Sequence, residues 1–376
     1  MTPSSESSKR KPRVAVVFGG RSSEHAVSCA TAASVLSVID KDAYDVVPIG
    51  ITVEGKWVLE SDEPERLALA AGHIPKVDAS ASAVALSADP SRRDLVVNEP
   101  GETPRALGEV DVVFPLLHGP WGEDGTIQGL FEMSGVRYVG SGVLASAVAM
   151  DKHYTKMLLA AHAIPTTSYV VILPREWERD AALSREAVEA LGYPVFVKPA
   201  RAGSSLGISK VTTRDDLDDA VAHARRYDPK VLVEPAVQGG RELECGILQR
   251  PDGDADASAV AEITGYGSHE FYDFEAKYLG EEGVTLEVPA DLRDEVRDEV
   301  QRVAVAAFEA LGCEGLARVD FFLQRDGRLL VNEVNTMPGF TPASMYPRMW
   351  AESGVDYGQL VDRLLTLAMS RTTGLR

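Results

Sequence analysis

The sequence has few cysteines and no long apolar run. Its 376 residues include three cysteines, Cys29, Cys245 and Cys313, which lie far apart and form no CxxC pair. This pattern gives no sign of a disulfide framework or a thiolate metal site, and it favours a reducing compartment. No apolar stretch approaches the roughly 20 residues that a bilayer-spanning helix needs, so we expect a soluble, cytoplasmic protein.

Positive charge is scarce as well. Lys and Arg number 38 against 57 Asp and Glu, which gives a formal net charge of -19. Such a field repels phosphate backbones and anionic lipids, so we expect neither nucleic acid nor a membrane as a partner. With 45% hydrophobic residues, a chain of this length exceeds the size of one hydrophobic core, and two or three domains are expected.

The pattern of apolar residues predicts an α/β fold. After a polar tail at residues 1–13, a strand at 14–18 ends in Gly19-Gly20, and residues 28–39 have helical spacing. Further strands are predicted at 45–51 and 110–117, and the Ala/Ser-rich stretch 61–108 between them is interpreted as surface decoration. A helix from Asp151 opens a second domain, and a long helix is predicted from residue 292 to its end before Gly312.

The strongest chemical pattern lies at residues 317–335, where two strand-like runs flank Asp326-Gly327, a favoured hairpin turn. With a two-residue loop, Asp320 faces Glu333 and Arg318 faces Asn335, and all four share one face of the ribbon. Oxygen ligands without His or Cys favour magnesium or manganese over zinc. A surface hairpin with a salt bridge is the alternative, but four converging polar residues favour a metal site.

A second pattern predicts contacts to phosphates. Lys198 ends a strand and is followed by a Gly/Ser loop at 202–207, which contains Ser204 and Ser205. Backbone amides and hydroxyls of such a loop can surround phosphates, although similar loops often serve only as turns. Lys152 at a helix start is a further candidate phosphate contact, or a surface charge.

The strand at residues 231–235 predicts an adenine site. Glu234 and backbone groups at the end of this strand could receive the adenine amino group, and Glu242 could reach a ribose; solvated glutamates are the alternative. Two other patterns are rejected. Residues 50–56 have the spacing of a P-loop but lack its Ser or Thr, and Gly19-Gly20 lacks GxGxxG spacing, so a nicotinamide site is not expected.

In combination, these motifs resemble the D-alanine:D-alanine ligases of the ATP-grasp superfamily. The matching segments are GGRSSEHAVS (19–28), LHGPWGEDGTIQG (117–129), MDK (150–152), VKPARAGSSLG (197–207), EFYDFEAKY (270–278), ARVDFF (317–322) and NEVNTMPGFTPAS (332–344). The resemblance implies three α/β domains. They are an N-terminal substrate-binding domain with an open parallel, Rossmann-like sheet (1–150), a central ATP-grasp lid domain (151–232), and a C-terminal ATP-grasp domain with the metal hairpin and a closing loop (233–376).

The resemblance also implies roles for individual residues. Glu24 would hold the ammonium group of the first D-alanine, and His118 would lie near its carboxylate. Ser344 would bind the second D-alanine, Arg318 and the Gly339 amide would form the oxyanion hole, and Ser204 and Tyr278 would tie down a closing loop that also carries Lys277. The residues implied to bind ATP are Lys152, Lys198, Ser205, Glu234, Ala236, Val237 and Glu242. Those implied to bind two Mg²⁺ or Mn²⁺ ions are Asp320, Glu333 and Asn335.

The function implied by the resemblance is ATP-dependent ligation of two D-alanine molecules through a D-alanyl phosphate, for peptidoglycan precursors. A homodimer is expected from the family as well. D-serine, D-lactate or another acceptor stays open, although Tyr278 favours an amine. A catalytically silent nucleotide-binding module is the rival reading, but it predicts lost metal or lid residues, and these are all present.

Overall fold

The computed structural model describes residues 10–68, 74–99, 101–264 and 285–374, which form three sheets flanked by helices. The helices are α1 (His25–Val38), α2 (Thr126–Met133), α3 (Val143–Met150), α4 (Lys152–Ala161), α5 (Pro174–Leu191), α6 (Leu217–Ala224), α7 (Asp294–Ala310), α8 (Met345–Glu352) and α9 (Tyr357–Ser370). In these ranges no helix combines the length and the apolar character needed to cross a bilayer.

The first sheet contains β1 (Arg13–Gly19), β2 (Asp45–Ile51), β3 (Trp57–Leu59), β4 (Ala83–Leu86), β5 (Asp94–Asn98), β6 (Arg105–Glu109), β7 (Val112–Pro115) and β8 (Arg137–Tyr138). Its order is β6-β5-β4-β3-β2-β1-β7-β8. Strands β2, β1, β7 and β8 are parallel, which confirms the predicted open parallel sheet. The other four strands add to its edge in antiparallel fashion.

The interpretation of residues 61–108 as surface decoration is wrong. This stretch supplies β4, β5 and most of β6, and Val84, Leu95 and Val97 are buried in the core on one face of the sheet. The strands are short and their apolar residues sparse, so their pattern was hidden among small residues. Residues 50 and 51 end β2 and residues 52–56 form the turn to β3, which agrees with the rejection of a P-loop.

The opposite face of the first sheet is covered by α1 and by the C-terminal helix α9. Leu360 and Leu364 of α9 belong to the same buried cluster as Phe18 and Phe114 of the sheet. The last helix in the chain therefore completes the first core. Apolar burial of this kind is the main favourable term in folding, so the two ends of the chain depend on one another for stability.

The second sheet is antiparallel and contains β9 (Val170–Ile172), β10 (Val195–Pro199), β11 (Ser209–Val211) and β12 (Val231–Pro235), in the order β11-β10-β12-β9. Apolar residues of α5 and α6 pack on it, with Val188, Leu217 and Val221 fully buried. The predicted domain limit at residue 232 falls inside β12, so the sheet favours a limit after Pro235.

The third sheet is also antiparallel and contains β13 (Arg241–Gln249), β14 (Ala255–Thr264), β15 (Thr285–Glu287), β16 (Leu316–Leu323) and β17 (Leu329–Asn335), in the order β15-β14-β13-β16-β17. Helix α7 packs on it through Val300, Ala304 and Phe308. Its bounds agree with the predicted long helix to within two residues, and Gly312 follows with a φ of 64°.

The hairpin of β16 and β17 has the predicted pairing near the site but a different turn. Asp320 pairs with Glu333 and Arg318 with Asn335, as predicted. The loop has three residues rather than two, because Gln324 and Arg328 pair across it and Gly327 has a φ of 88°. A bulge opposite Asp320 and Phe321 inserts one residue in β17, which cancels the difference.

Candidate active site

A cleft of about 730 Å³ is lined by strands of the second and third sheets and the loops that follow them, and by helix α1 and loop residues of the first domain. Within the described residues, Ala236 is the exception among the predicted site residues: it does not line the cleft, and its amide donates to the carbonyl of Pro194. Lys277 and Tyr278 lie outside the described residues. The cleft is lined by Glu24, His118, Lys152, Lys198, Ser204, Ser205, Glu234, Val237, Glu242, Arg318, Asp320, Glu333, Asn335, Gly339 and Ser344.

One end of the cleft, the hairpin end, consists of Arg318, Asp320, Glu333 and Asn335 together with Glu244 of β13. Nε and Nη2 of Arg318 each lie 2.7 Å from an oxygen of Asp320, a bidentate pair. Nη2 also lies 3.3 Å from Oε1 of Glu244. Burial lowers the pKa of Arg318, but Asp320 and Glu244 outweigh burial and raise that pKa well above its usual value.

The donors at the hairpin end fit a hard divalent cation. Nδ2 of Asn335 donates to Oδ2 of Asp320 at 3.1 Å, and Glu333 stands directly across the ribbon from Asp320. Two carboxylates and an amide suit magnesium, which binds through few protein oxygens and completes its shell with water and phosphate. A closed cage is not expected there. In the described ranges, no three His, Cys, Asp or Glu side chains cluster as a metal site.

The other end, the lysine end, consists of Lys198, Thr167 and Glu234, with Lys156 buried behind them. Lys156 lies 2.5 Å from Oε1 of Glu234, Lys198 contacts Oε2, and the hydroxyl of Thr167 donates to Oε1. Burial alone would raise the pKa of Glu234, but the two lysines outweigh it and hold the pKa at about 2. The carboxylate is therefore ionised and carries more cationic than anionic neighbours.

The loop after β10 is held by Lys152 of α4 and by Glu24 of the first domain. Nζ of Lys152 donates to the carbonyl of Ala202 at 3.0 Å and lies 3.4 Å from Glu333. Ser204 and Ser205 have φ values of 50° and 57°, in the left-handed region that serines rarely adopt. A cost of about 1 kcal/mol for each such residue persists only where other contacts hold the loop in place.

The contact that holds Ser204 is its hydroxyl, which donates to Oε1 of Glu24. Glu24 precedes α1 and is buried. Two glycines make room for its carboxylate: a Cβ on Gly119, whose φ is 71°, would lie 2.6 Å from Oε2, and one on Gly203 would lie 3.0 Å from it. The first sheet and the loop of the second sheet therefore meet at this carboxylate.

His118 connects the first domain to the loop after β17. Its Nδ1 lies 3.1 Å from the carbonyl of Met337, and its Nε2 lies 3.3 Å from the hydroxyl of Thr31. A carbonyl only accepts, so Nδ1 carries the proton and Nε2 accepts from Thr31. Burial lowers the pKa of His118, although Glu24 opposes this, so the imidazole is neutral near pH 7.

Ser344 and Gly339 lie at the far wall of the cleft. Ser344 is the residue before α8, and its Oγ lies 2.9 Å from the hydroxyl of Thr341. A Cβ on Gly339 would lie 3.1 Å from this oxygen, so the glycine lets the loop backbone approach Ser344. The N-terminus of a helix favours an anion, and this position therefore suits a carboxylate.

Sequence reasoning missed four residues of the site. Glu123 lines the cleft and accepts from the Gly119 amide at 2.5 Å; burial and Glu24 raise its pKa to about 8. It stands in the GEDG segment, which was a usable signal. Glu244 is two residues after Glu242 on the same strand face. Lys156 and Thr167 carry no comparable signal, since a helical lysine normally indicates a solvated face.

The fold and the cleft define an ATP-grasp enzyme class: an α/β protein whose antiparallel sheets enclose a lysine-rich pocket beside a carboxylate-bearing hairpin. Two family models match, the D-ala D-ala ligase N-terminus at residues 13–141 and the D-ala D-ala ligase C-terminus at residues 158–366. The chain belongs to the D-ala D-ala ligase family, as its motifs predicted.

Individual relatives agree with this membership. The chain is 56% identical to a D-alanine--D-alanine ligase of Streptomyces griseus, over 99% of this chain and 96% of that protein. It is 57% identical to one of Rhodococcus opacus, over 98% of this chain and 100% of that protein. Among solved structures it resembles the VanG D-Ala:D-Ser ligase from Enterococcus faecalis, with a TM-score of 0.81 and 35% identity, covering 96% of this chain and 100% of that one. It also resembles a D-alanine-D-alanine ligase from Coxiella burnetii, with a TM-score of 0.79 and 33% identity, covering 96% and 94%.

Proposed function

We propose that this protein joins two molecules of D-alanine to D-alanyl-D-alanine at the expense of ATP, through a D-alanyl phosphate, and so supplies a peptidoglycan precursor. The observation that carries the proposal is the meeting of three kinds of group in one cleft. These are lysines for phosphate, oxygen ligands for a divalent cation, and the buried Glu24 carboxylate for an ammonium group. Family membership gives the substrate.

The lysine end is proposed to bind ATP. Lys152, Lys198 and Ser205 would contact the phosphates, because cations and a Gly/Ser loop match their charge and shape. Glu234 and Val237 would receive the adenine, and Glu242 of β13 the ribose hydroxyls. The role predicted for Ala236 stays a prediction. Since the Ala236 amide donates to Pro194, its carbonyl is the backbone group left for that role.

The hairpin end is proposed to hold two Mg²⁺ or Mn²⁺ ions through Asp320, Glu333 and Asn335. Divalent ions there would neutralise negative charge on the phosphates of ATP. The protein contributes the fixed position of the ligands. Asp320 and Asn335 are joined by a hydrogen bond, and Glu333 is held near Lys152, so the ligands are oriented before a substrate arrives.

In the first step, a carboxylate oxygen of D-alanine attacks the γ-phosphorus of ATP and ADP leaves. A carboxylate is a poor acceptor for an amine, and phosphorylation gives it a leaving group. Glu24 would bind the ammonium group of this D-alanine. His118, which is neutral and lies beside Glu24, would orient its carboxylate. Lys198 would offset charge on the transferred phosphoryl group.

In the second step, the amine of another D-alanine attacks the acyl carbon and phosphate leaves. Arg318 and the Gly339 amide are proposed to stabilise the tetrahedral oxygen, and Ser344 to bind the second carboxylate. Water would hydrolyse the acyl phosphate, so the site must close during the reaction. The predicted closing residues, Lys277 and Tyr278, lie outside the described residues. Their role stays a prediction.

Three further predictions, on the domain limits, the oligomeric state and the location in the cell, are also proposals. The division at residues 150 and 232 is one, with the second limit moved to the end of β12. A homodimer is the second, and light scattering on the purified protein tests it. A cytoplasmic location is the third. Its support is that Cys29, Cys245 and Cys313 are buried free thiols.

The test of the function is direct. The full chain is incubated with ATP, Mg²⁺ and D-alanine, and phosphate and dipeptide are both measured, the dipeptide by mass spectrometry. Dipeptide formed in step with phosphate supports the proposal. D-serine and D-lactate are tested as acceptors in parallel, because a D-Ala:D-Ser ligase is among the similar structures. If no acceptor gives a product that requires ATP, the proposal is wrong.

A further inference from the structure

Lys156 is a buried lysine of the site to which neither the motifs nor the proposed chemistry gives a role. Its side chain is 1% exposed. It stands four residues after Lys152 on α4, so the two lysines share a face of the helix. Lys152 lines the cleft, whereas Lys156, among the described residues, is not part of the cleft wall. A fully buried lysine is rare unless an anion pairs with it.

The anion that pairs with Lys156 is Glu234, and the two oxygens of Glu234 have different partners. Oε1 receives Lys156 at 2.5 Å and the hydroxyl of Thr167. Lys156 also donates to Oγ1 of Thr167 at 2.8 Å, so these three groups form a closed ring of contacts. Oε2 receives Lys198, which does line the cleft. Glu234 is therefore held from behind by Lys156 and from the cleft side by Lys198.

The two lysines differ in what a nucleotide would do to them. Lys198 is on the cleft wall and is proposed to contact a phosphate, which would draw it away from Oε2. Lys156 does not line the cleft, so it would keep its contact with Glu234 when a nucleotide binds. A buried carboxylate without a counterion becomes protonated, because burial disfavours its charged form. Burial alone would raise the pKa of Glu234, and the lysines are what bring it to about 2.

The charge state of Glu234 decides which base it can receive. An ionised carboxylate only accepts hydrogen bonds, whereas a protonated one can also donate. At position 6, adenine carries an amino group that donates and a 6-oxopurine carries a carbonyl that accepts. An ionised Glu234 therefore accepts a hydrogen bond from the amino group of adenine and repels the carbonyl oxygen of a 6-oxopurine. A protonated or misplaced Glu234 would distinguish them poorly.

We propose that Lys156 is a positioning residue for nucleotide selection: as the permanent counterion behind the cleft, it keeps Glu234 fixed and acceptor-only, so the site prefers a 6-aminopurine nucleotide to a 6-oxopurine nucleotide. This inference rests on the proposed function, since it assumes that a purine nucleotide binds at the lysine end. Lys156 touches no reacting atom in it.

The test compares ADP with inosine diphosphate, two nucleotides that differ at position 6. Their dissociation constants are measured by calorimetry with Mg²⁺ for the full chain and for Lys156→Met. We expect the wild type to prefer ADP, and Lys156→Met to lower that preference about tenfold, mainly by weakening ADP. Lys156→Arg should restore part of the preference. Lys41→Met, which removes a half-exposed lysine from a surface ion pair, is the matched control and should leave it unchanged.

A uniform loss of affinity for both nucleotides in Lys156→Met, with the ratio unchanged, would show a merely structural role and overturn the inference. So would a wild type that binds ADP and inosine diphosphate equally. If Lys156→Met does not fold, Lys156→Gln decides, because it removes the positive charge beside Oε1 of Glu234 but keeps a polar side chain; an unchanged ratio there also overturns the inference. Failure of the wild type to bind either nucleotide would instead overturn the proposed function itself, and this inference with it.

Discussion

The two ends of the cleft have opposite arrangements of charge. At the lysine end, one carboxylate, Glu234, lies between two lysines. At the hairpin end, one guanidinium, Arg318, lies between Asp320 and Glu244. Each end thus carries an excess of one sign, positive where phosphates are proposed to bind and negative where divalent cations are. In each cluster, therefore, the central ion holds its two neighbours in place. The charge that it does not neutralise can attract a ligand of opposite sign, phosphate at the lysine end and a divalent cation at the hairpin end.

The largest effect is expected from removing the central cation of the hairpin end. Arg318→Ala removes the cation that lies between the buried carboxylates of Asp320 and Glu244, and it removes a proposed donor to the tetrahedral oxygen. We expect kcat for dipeptide formation to fall about a thousandfold, with a loss of about 3 kcal/mol of stability. Steady-state kinetics and urea unfolding measure the two. A variant that keeps near-normal kcat would contradict the role of Arg318 in catalysis.

The next effect comes from the central anion of the lysine end. In wild type the depressed pKa of Glu234, about 2 against an ordinary 4.5, contributes stability that is complete above pH 4.5 and lost as pH falls towards 2. The contribution amounts to about 3 kcal/mol. Glu234→Gln should therefore be less stable at pH 7, and its stability should depend less on pH in the acid range.

Urea unfolding of both proteins at several pH values between 3 and 7 checks this expectation. Stability curves for the wild type and Glu234→Gln should converge as the pH falls. Parallel curves would mean that the two lysines do not depress the pKa of Glu234, and the proposed contrast between the two ends of the cleft would lose its basis.

A smaller effect on stability, opposite in its pH dependence, is expected at Glu123, beside the proposed site of the first D-alanine. The pKa of Glu123 is raised to about 8, so the folded protein binds a proton that the unfolded chain releases above pH 4.5. Stability from this group is therefore lost as pH rises from 4.5 to 8. Glu123→Gln should gain stability relative to wild type at pH 8.5 but not at pH 4, by about 1 kcal/mol because the side chain is partly exposed.

Thermal unfolding at pH 4 and pH 8.5 measures the difference between wild type and Glu123→Gln. An equal difference at the two pH values would indicate that Glu123 is ionised in the folded protein.

The smallest effect is expected at the tip of the hairpin. Arg328 pairs with Asp326 at 2.8 Å, but its side chain is 70% exposed. Arg328→Ala should change stability by less than about 0.5 kcal/mol and leave kcat unaltered. Because it removes an arginine from the same hairpin as Arg318, it is the matched control for that variant. A large loss of activity here would mean that the hairpin as a whole, rather than the buried cluster, sets the rate.

The hairpin of β16 and β17 shows how far sequence reasoning reaches and where it stops. Pairing of Asp320 with Glu333 was predicted from a two-residue loop at Asp326-Gly327, and the pairing is confirmed. The loop nevertheless has three residues, and a bulge in β17 restores the register. A bulge leaves little trace in an alternating pattern, because it depends on how the bent strand packs on its neighbours. The wrong loop length and the missed bulge shift the pairing by one residue in opposite directions, so the predicted pairs are nevertheless correct.

The sequence by itself determined the parallel strands of the first sheet, the long helix α7 and the motifs that line the cleft, because these depend on local periodicity and on residue type. Tertiary structure alone decided three other features. Helix α9 covers the first sheet, Glu244 joins Arg318, and Lys156 becomes a buried counterion of Glu234. Each joins residues that are distant in the chain. Whether a charge is buried, and therefore needs a partner, is decided only when those residues have packed together.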